Sequence, residues 1–501
     1  MSSFLLSLLV FFPLLGIILL AFVPKTEEKT IKLVGFLATL PTLGIALYTY
    51  FFYSGGGDLA KLNEKHYWFG FLPKGNPWEV NYELGLNGFS LVLIVLTAVI
   101  ATLAAIASIH IKKEWKGYFM LFLLLEVGML GVFAAGNLIL FFLFFEMTLI
   151  STFFLIGKWG YLEKERAAFS FLLFNGIGSA ILLIVIMILF AKTGTTNISA
   201  LVAIFASPEG TLPMEISGDL RMGLLIATLI AFGIKLPVFP LHTWMLRVHV
   251  QAPPSIVMIH SGILLKIGAY GMIRFGMEFY PEEFNTLAPI VAILGVVNLL
   301  YGAFLAFVQT DFKMVLAYSS ISHMGIVLIG LGAMNEAGIQ GALFQVVSHG
   351  LISALMFFLI GVIYERTGTS YIGKLGGLAK AMPLTAGFLL AGAMASLGLP
   401  GMSGFVSEFM AFLGLFKEMP IVAAIGAIGI IMTAVYLLRA VLNVTYGKAN
   451  NLYDDAFDLR PVEMVPVVIL LGLIILIGVI PSVLTEPLQT ALETIMLGLG
   501  G

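Results

Sequence analysis

No cysteine occurs in the 501 residues. That excludes disulfides, iron–sulfur ligation and zinc–thiolate sites. Charge is scarce as well: 11% of residues are Asp, Glu, Lys or Arg, where a soluble domain carries roughly a quarter. The net charge is −2 and no basic patch exists, so nothing points to nucleic acid. No nucleotide-binding loop, cofactor ligand set or thiol is present, so energy for any work must come from outside the chain. The longest polar stretch, about 54–83, is too short for a soluble domain.

Apolar runs fill the space these absences leave. The chain is 60% hydrophobic with a mean hydropathy of +1.04, and runs long enough to cross a bilayer recur from end to end. The pattern predicts an all-α polytopic membrane protein with about 14 spans. They are 3–23, 31–53, 84–108, 117–135, 137–157, 168–191, 221–246, 254–276, 285–308, 313–333, 341–364, 382–416, 421–446 and 464–484. The first run has no basic segment before it and no small-residue cleavage site before Lys25, so it reads as a retained span. The seventh and twelfth spans read as broken helices. Pro237 and Pro240 interrupt GIKLPVFPLHTW, and Pro400, Gly401 and Gly404 interrupt LGLPGMSGFVSEF. Proline inside a span frees carbonyls that survive only against protein or water, and paired breaks mark the ion site of repeat-built transporters.

Lys and Arg number 16 in the odd loops and 7 in the even loops. The positive-inside rule then places the odd loops in the cytoplasm and both termini outside. A repeat is visible too. FLLFNGIGSAILLIVIMILF (171–190) resembles FQVVSHGLISALMFFLIGVI (344–363), with Asn175 matching His349 and Ser179 matching Ser353. The expected organisation is three N-terminal spans (1–116), a first five-helix unit (117–276), a second (285–446), and a C-terminal loop and helix (447–501). The offset drifts across the breaks, so Lys235 and Glu408 are not equated.

Ionisable residues stand within these spans: Glu126, Glu146, Lys235, Lys266 and Glu408. Each costs about 2.5–3.5 kcal/mol at mid-bilayer on the lenient insertion scale, which makes each a functional candidate by default. Blander roles compete. Glu146 can serve as an interhelical hydrogen-bond residue, Lys235 can bind carbonyls freed by the proline break, and Glu408 can neutralise a frayed helix end. Glu126 can anchor its span or tune a pair. His242, His260, His323 and His349 can satisfy core hydrogen bonds, and Arg439 can snorkel to the interface. Gly262, one turn before Lys266, is expected to leave room for water beside the ammonium.

The series LFFEMTLISTFFLIG, FGIKLPVFPLHTWM, PPSIVMIHSGILLKIGAYGMIRF, YSSISHMG, SHGLISALMFFLIGVIYER and SLGLPGMSGFVSEF closely resembles the antiporter-like membrane subunits of respiratory complex I, of the chain M (chain 4) type. The resemblance covers essentially the whole length. It implies a 14-helix fold with two inverted five-helix repeats and a role in proton translocation. Glu146 and Lys235 would be the glutamate–lysine pair of the input half-channel and Lys266 the central lysine. His323 and His349 would form the relay, and Glu408 the terminal acid. Related L-type chains and Mrp-type antiporter chains typically carry lysine where Glu408 stands, which favours the M type. Asn87 stands where relatives often have Asp, so no proton role is assigned there.

The resemblance further implies a multi-pass protein of the bacterial inner membrane, flanked by L-type and N-type antiporter-like subunits and by lipid. It would hold no cofactor or metal of its own; NADH, FMN, iron–sulfur clusters and quinone would belong to partner subunits. The alternatives are a cation/proton antiporter chain of an Mrp-type assembly and the equivalent chain of a membrane-bound hydrogenase.

Overall fold

The computed structural model describes residues 4–70, 79–206, 216–448, 453 and 455–498. Ser3, at the start of the first expected span, and Lys74, one of the loop cations, lie outside the described residues. Twelve helices among those described are long and apolar enough to cross a membrane. They are α1 (Leu5–Phe22), α2 (Glu28–Ser54, with a turn at 38–39), α3 (Gly88–Ala107), α4 (Trp115–Ala134), α5 (Leu138–Trp159), α6 (Lys164–Thr193), α8 (Pro254–Met277), α9 (Pro281–Val308), α10 (Phe312–Gly332), α11 (Glu336–Thr367), α13 (Pro420–Tyr446) and α14 (Pro461–Val479). The two remaining crossings are each made of two short helices: α7a (Gly218–Lys235) with α7b (Thr243–Gln251), and α12a (Pro383–Ser396) with α12b (Ser403–Glu418). The chain is therefore a multi-pass α-helical membrane protein, broken at both expected places.

One element was not expected. The polar stretch after α2 forms an antiparallel hairpin, β1 (Glu64–Gly70) with β2 (Glu79–Leu84), in the register Glu64↔Leu84 and Gly70↔Glu79. Glu64 is buried and accepts the backbone N–H groups of Leu6 and Ser7, at 2.9 and 3.1 Å. The hairpin thus satisfies orphan donors at the start of α1 that no residue of α1 itself caps. Asn87 has a related task. Its Oδ1 accepts from Ser90 N at 2.8 Å while Ser90 Oγ accepts from Asn87 N, a capping box that starts α3.

The duplication is written into the hydrogen bonds. Leu138 N donates to Thr196 O and Ile198 N to Gly136 O, both bonds closing the joint between α5 and the loop after α6. Their counterparts 174 residues on are Phe312 N to Ser370 O and Ile372 N to Thr310 O. Gly194 and Gly368, at the ends of α6 and α11, share φ of +71°. The Thr193 and Thr367 hydroxyls back-bond identically to Leu189 and Ile363. The sequence counterpart, TGTTNIS against TGTSYIG, is polar and short, and so carries no hydropathy signal.

Burial is uneven. α8 and α11 are enclosed along their whole apolar length, whereas α1, α2, α13 and α14 are buried over only about a third of theirs. Lipid is as apolar as leucine, so helix association relies on close packing through small residues. Gly268 of α8 shows this: a Cβ there would stand 2.5 Å from Leu236 N and 2.8 Å from Phe232 O, so α8 lies directly against the end of α7a. That packing carries Lys235 to within the reach of α8.

Candidate functional site

Lys235 is the last residue of α7a, and the break after it has its own satisfied network. The Trp244 indole donates to Ile234 O at 3.0 Å. Asn298 of α9 donates to Pro237 O at 3.3 Å and accepts from Phe239 N at 2.6 Å. The freed backbone groups therefore do not occupy Lys235, whose Nζ has no hydrogen-bond partner among the described residues. The ammonium is 2% exposed and lies 4.7 Å from the ring centre of Phe145 and 5.7 Å from that of Phe171. Cation–π attraction of this kind gives about 2 kcal/mol when desolvated. Glu146, the next residue after Phe145 on α5, has one buried oxygen without a hydrogen-bond partner among the described residues. No ion pair joins it to Lys235 among the described residues, so the expected pair is apart here, with a phenylalanine ring at the ammonium.

Lys266 is fully buried. It follows a π-helical turn, His260–Leu264, a local insertion that occurs mainly at functional sites. The wider turn leaves the Ser261 carbonyl to the lysine, which donates to it at 2.6 Å. The same Nζ lies 2.7 Å from Nδ1 of His349 on α11. The expected space at Gly262 is filled: a Cβ there would meet Ile100 at 2.8 Å and Gly350 O at 3.4 Å. Gly262 serves the close packing of α3, α8 and α11 and is not a water pocket.

From His349 the row continues. Its ring centre is 5.4 Å from that of His323 on α10. His323 Nδ1 lies 3.5 Å from Glu408 Oε1, and its Nε2 lies 3.1 Å from Ser396 Oγ at the end of α12a. Gln345 Nε2 lies 3.4 Å from His323 Nδ1, and Ser407 donates to the Gln345 carbonyl oxygen. Residues from α8, α10, α11 and α12 therefore form one line, Lys266–His349–His323–Glu408. Glu408 lines a cavity of about 550 Å³ whose other walls include Phe405, Phe409, Phe412 and Ala424. Its Oε2 stands 2.6 Å from where a Cβ on Gly398 would be. Gly398 precedes Leu399 and Pro400 as Lys235 precedes Leu236 and Pro237. At the second break, then, a carboxylate reaches back to the position where the first break carries its lysine.

Other candidates fall elsewhere. His242 Nε2 lies 3.0 Å from the Tyr301 hydroxyl, outside the line. Arg439 lies over Phe307 and donates to its carbonyl at an exposed helix end. Glu126 is fully buried on α4, and neither carboxylate oxygen has a hydrogen-bond partner among the described residues. His249, not singled out in the sequence, joins His260 through Nε2 and Nδ1 at 2.9 Å, and His260 stacks edgewise on Trp244 at 5.4 Å. This dyad links α7b, which follows Lys235, with the turn that precedes Lys266. The spacing of the two histidines within RVHVQAPPSIVMIH was its only trace in the sequence.

Residues 135–433 match the family described as NADH:quinone oxidoreductase/Mrp antiporter, transmembrane. NAD(P)H-quinone oxidoreductase chain 4 3 of Trichormus variabilis is 39% identical over 496 residues, covering 96% of this chain and 89% of that protein. NADH-quinone oxidoreductase subunit M of Rhodobacter capsulatus is 35% identical, covering 96% and 94%. A chain of respiratory complex I from Thermus thermophilus, solved with bound NADH, superposes with a TM-score of 0.86 at 29% identity, covering 99% of this chain and all of that one. The chain belongs to the NADH:quinone oxidoreductase/Mrp antiporter family of membrane subunits.

Proposed function

We propose that this chain is a proton-translocating membrane subunit of respiratory complex I, moving protons while partner subunits pass electrons from NADH to quinone. The observation that carries the reading is the run of contacts Lys266–His349–His323–Glu408 through the buried interior. Lysine and glutamate each exchange one proton, and histidine accepts on one ring nitrogen while releasing from the other. The titratable members of the row follow one another singly, flanked by Gln345, Ser396 and Ser407, which suits protons.

Glu146 and Lys235 act as the loading pair. Unit charges 4 Å apart attract by roughly 4 kcal/mol at an effective dielectric near 20, so closing or opening the pair changes proton affinity at Lys235 substantially. In the open arrangement the ammonium rests on Phe145. The His249–His260 dyad carries the proton on toward Lys266, and Glu408 is the last acceptor before the outer side.

The odd loops face the cytoplasm and both termini face outward, in a bacterial inner membrane. Residues 117–276 and 285–446 form the two repeat units, flanked by 1–116 and 447–501. L-type and N-type antiporter-like subunits adjoin the chain, and FMN, iron–sulfur clusters and quinone reside in partner subunits. The test is NADH-driven acidification of vesicles with Lys235→Ala and Glu146→Gln in the assembled complex. Loss of pumping supports the reading. Undiminished coupled pumping overturns it, and proton movement driven by a sodium gradient without NADH identifies an antiporter assembly.

A further inference from the structure

The two ring nitrogens of His323 have different company. Nε2 lies 3.1 Å from Ser396 Oγ. Nδ1 faces two groups at once, Glu408 Oε1 at 3.5 Å and the side-chain nitrogen of Gln345 at 3.4 Å. All four side chains are buried. A ring nitrogen carries either one lone pair or one hydrogen, so Nδ1 serves one of its two neighbours at a time.

The Gln345 amide is oriented by what surrounds it. Ser407 donates to its oxygen. Its nitrogen lies 3.4 Å from the backbone carbonyl of His323, a group that can only accept. The end of the amide that faces His323 is therefore the NH₂ group, with one hydrogen for the carbonyl and one for Nδ1. That arrangement needs a lone pair on Nδ1 and places the ring hydrogen on Nε2, toward Ser396. Both contacts are long for N–H donors, so the amide occupies Nδ1 without gripping it.

We propose that Gln345 is a positioning residue that acts through His323, as a gate that keeps a proton on Glu408 from returning to His323 while the row is at rest. The proposal rests on the reading of the row as a proton path. A proton arriving from His349 makes His323 an imidazolium with hydrogens on both nitrogens. The Nδ1 hydrogen then opposes the amide hydrogen, and the amide keeps only the carbonyl. A charged donor bonds a carboxylate about twice as strongly as a neutral pair bonds, so Nδ1–H turns to Glu408. The N–H bond breaks, an O–H bond forms on Glu408, and the lone pair left on Nδ1 takes up the amide again. To return, the neutral Glu408 carboxyl must displace the amide from that lone pair without the help of a charge. Ser407, the residue before Glu408, holds the amide in the orientation this requires.

The experiment uses the purified, assembled complex in phospholipid vesicles with Gln345→Met, His323→Leu, Gln345→Met/His323→Leu and Ser407→Ala. A pH gradient, acid on the outer face of the protein, is imposed without NADH and its decay is followed; protons pumped per NADH are measured separately. Expected is a several-fold faster decay in Gln345→Met, with fewer protons pumped per NADH while NADH oxidation continues. The double variant should decay at the parental rate, because the leak runs through His323; a leak caused by loosened packing does not need that ring. Parental decay and pumping in Gln345→Met, alongside failed pumping in His323→Leu, overturns the gate and leaves the row intact. Decay in the double variant as fast as in Gln345→Met also overturns the gate. Parental pumping in His323→Leu overturns the row itself. If Gln345→Met does not assemble, Ser407→Ala decides: faster decay supports the gate and parental decay overturns it.

Discussion

Lys266 Nζ on α8 stands 2.7 Å from Nδ1 of His349 on α11, although 83 residues separate them. This contact is where the two halves of the row join. When Lys266 is charged its ammonium has no lone pair, so the lysine donates and Nδ1 of His349 accepts. His349→Ala should break the row at its centre. The expected outcome is loss of coupled pumping with assembly retained. His349→Gln, which keeps a polar group but no titratable ring, should likewise assemble and fail to pump. Vesicle acidification together with native gel analysis checks both.

Gly398 has φ of +81°, and Glu408 Oε2 lies 2.6 Å from where its Cβ would be. Gly398→Ala should cost about 1–2 kcal/mol in backbone strain and also drive Glu408 out of line with His323. Pumping should fall more than the melting temperature of the purified complex does. An alanine variant that pumps normally would show that the position of Glu408 is not restricted.

Arg366 donates to both oxygens of Glu463, at 2.8 and 2.6 Å, joining α11 to α14; both side chains are essentially inaccessible, and His110 Nε2 lies 3.1 Å from the same carboxylate. Arg366→Ala leaves a buried carboxylate short of its main partner. Breaking such a pair costs about 3–5 kcal/mol. The expected result is poor assembly or a lowered melting temperature, without a specific loss of pumping per assembled complex. This separates a structural ion pair from the functional row.

His249→Leu removes the link between the two lysines and fills its place with an apolar side chain. Pumping should fall while Lys235 and Lys266 remain in place. Normal pumping would mean that the proton reaches Lys266 without the His249–His260 dyad.

The spans and the charges within them were legible because each intramembrane ionisable residue violates a strong rule, and so stands out in a run such as NLILFFLFFEMTLIS. Both breaks were legible because Pro237, Pro240 and Pro400 fall within apolar spans, where proline removes a backbone donor and crowds the preceding turn. The state of the Glu146–Lys235 pair was not legible, since distance between two spans is a tertiary quantity. Nor was the role of Gly262, which reads the same whether it admits water or a neighbouring helix. The π-helical turn before Lys266 leaves no compositional mark. The hairpin at Glu64–Leu84 was missed because its strands are short and polar-flanked, although EKHYWFG and EVNYEL carry the aromatic and branched residues strands favour. The His249–His260 dyad was missed because 11 residues separate its members across the junction of two helices.

The central claim is that protons travel along this row. Its most direct test is NADH-driven proton uptake and release by vesicles containing the assembled complex with Lys266→Ala, measured beside quinone reduction in the same preparation. The account predicts that pumping and coupled quinone reduction fall together while the assembled complex remains in parental amount. Parental pumping by the assembled Lys266→Ala complex would contradict it.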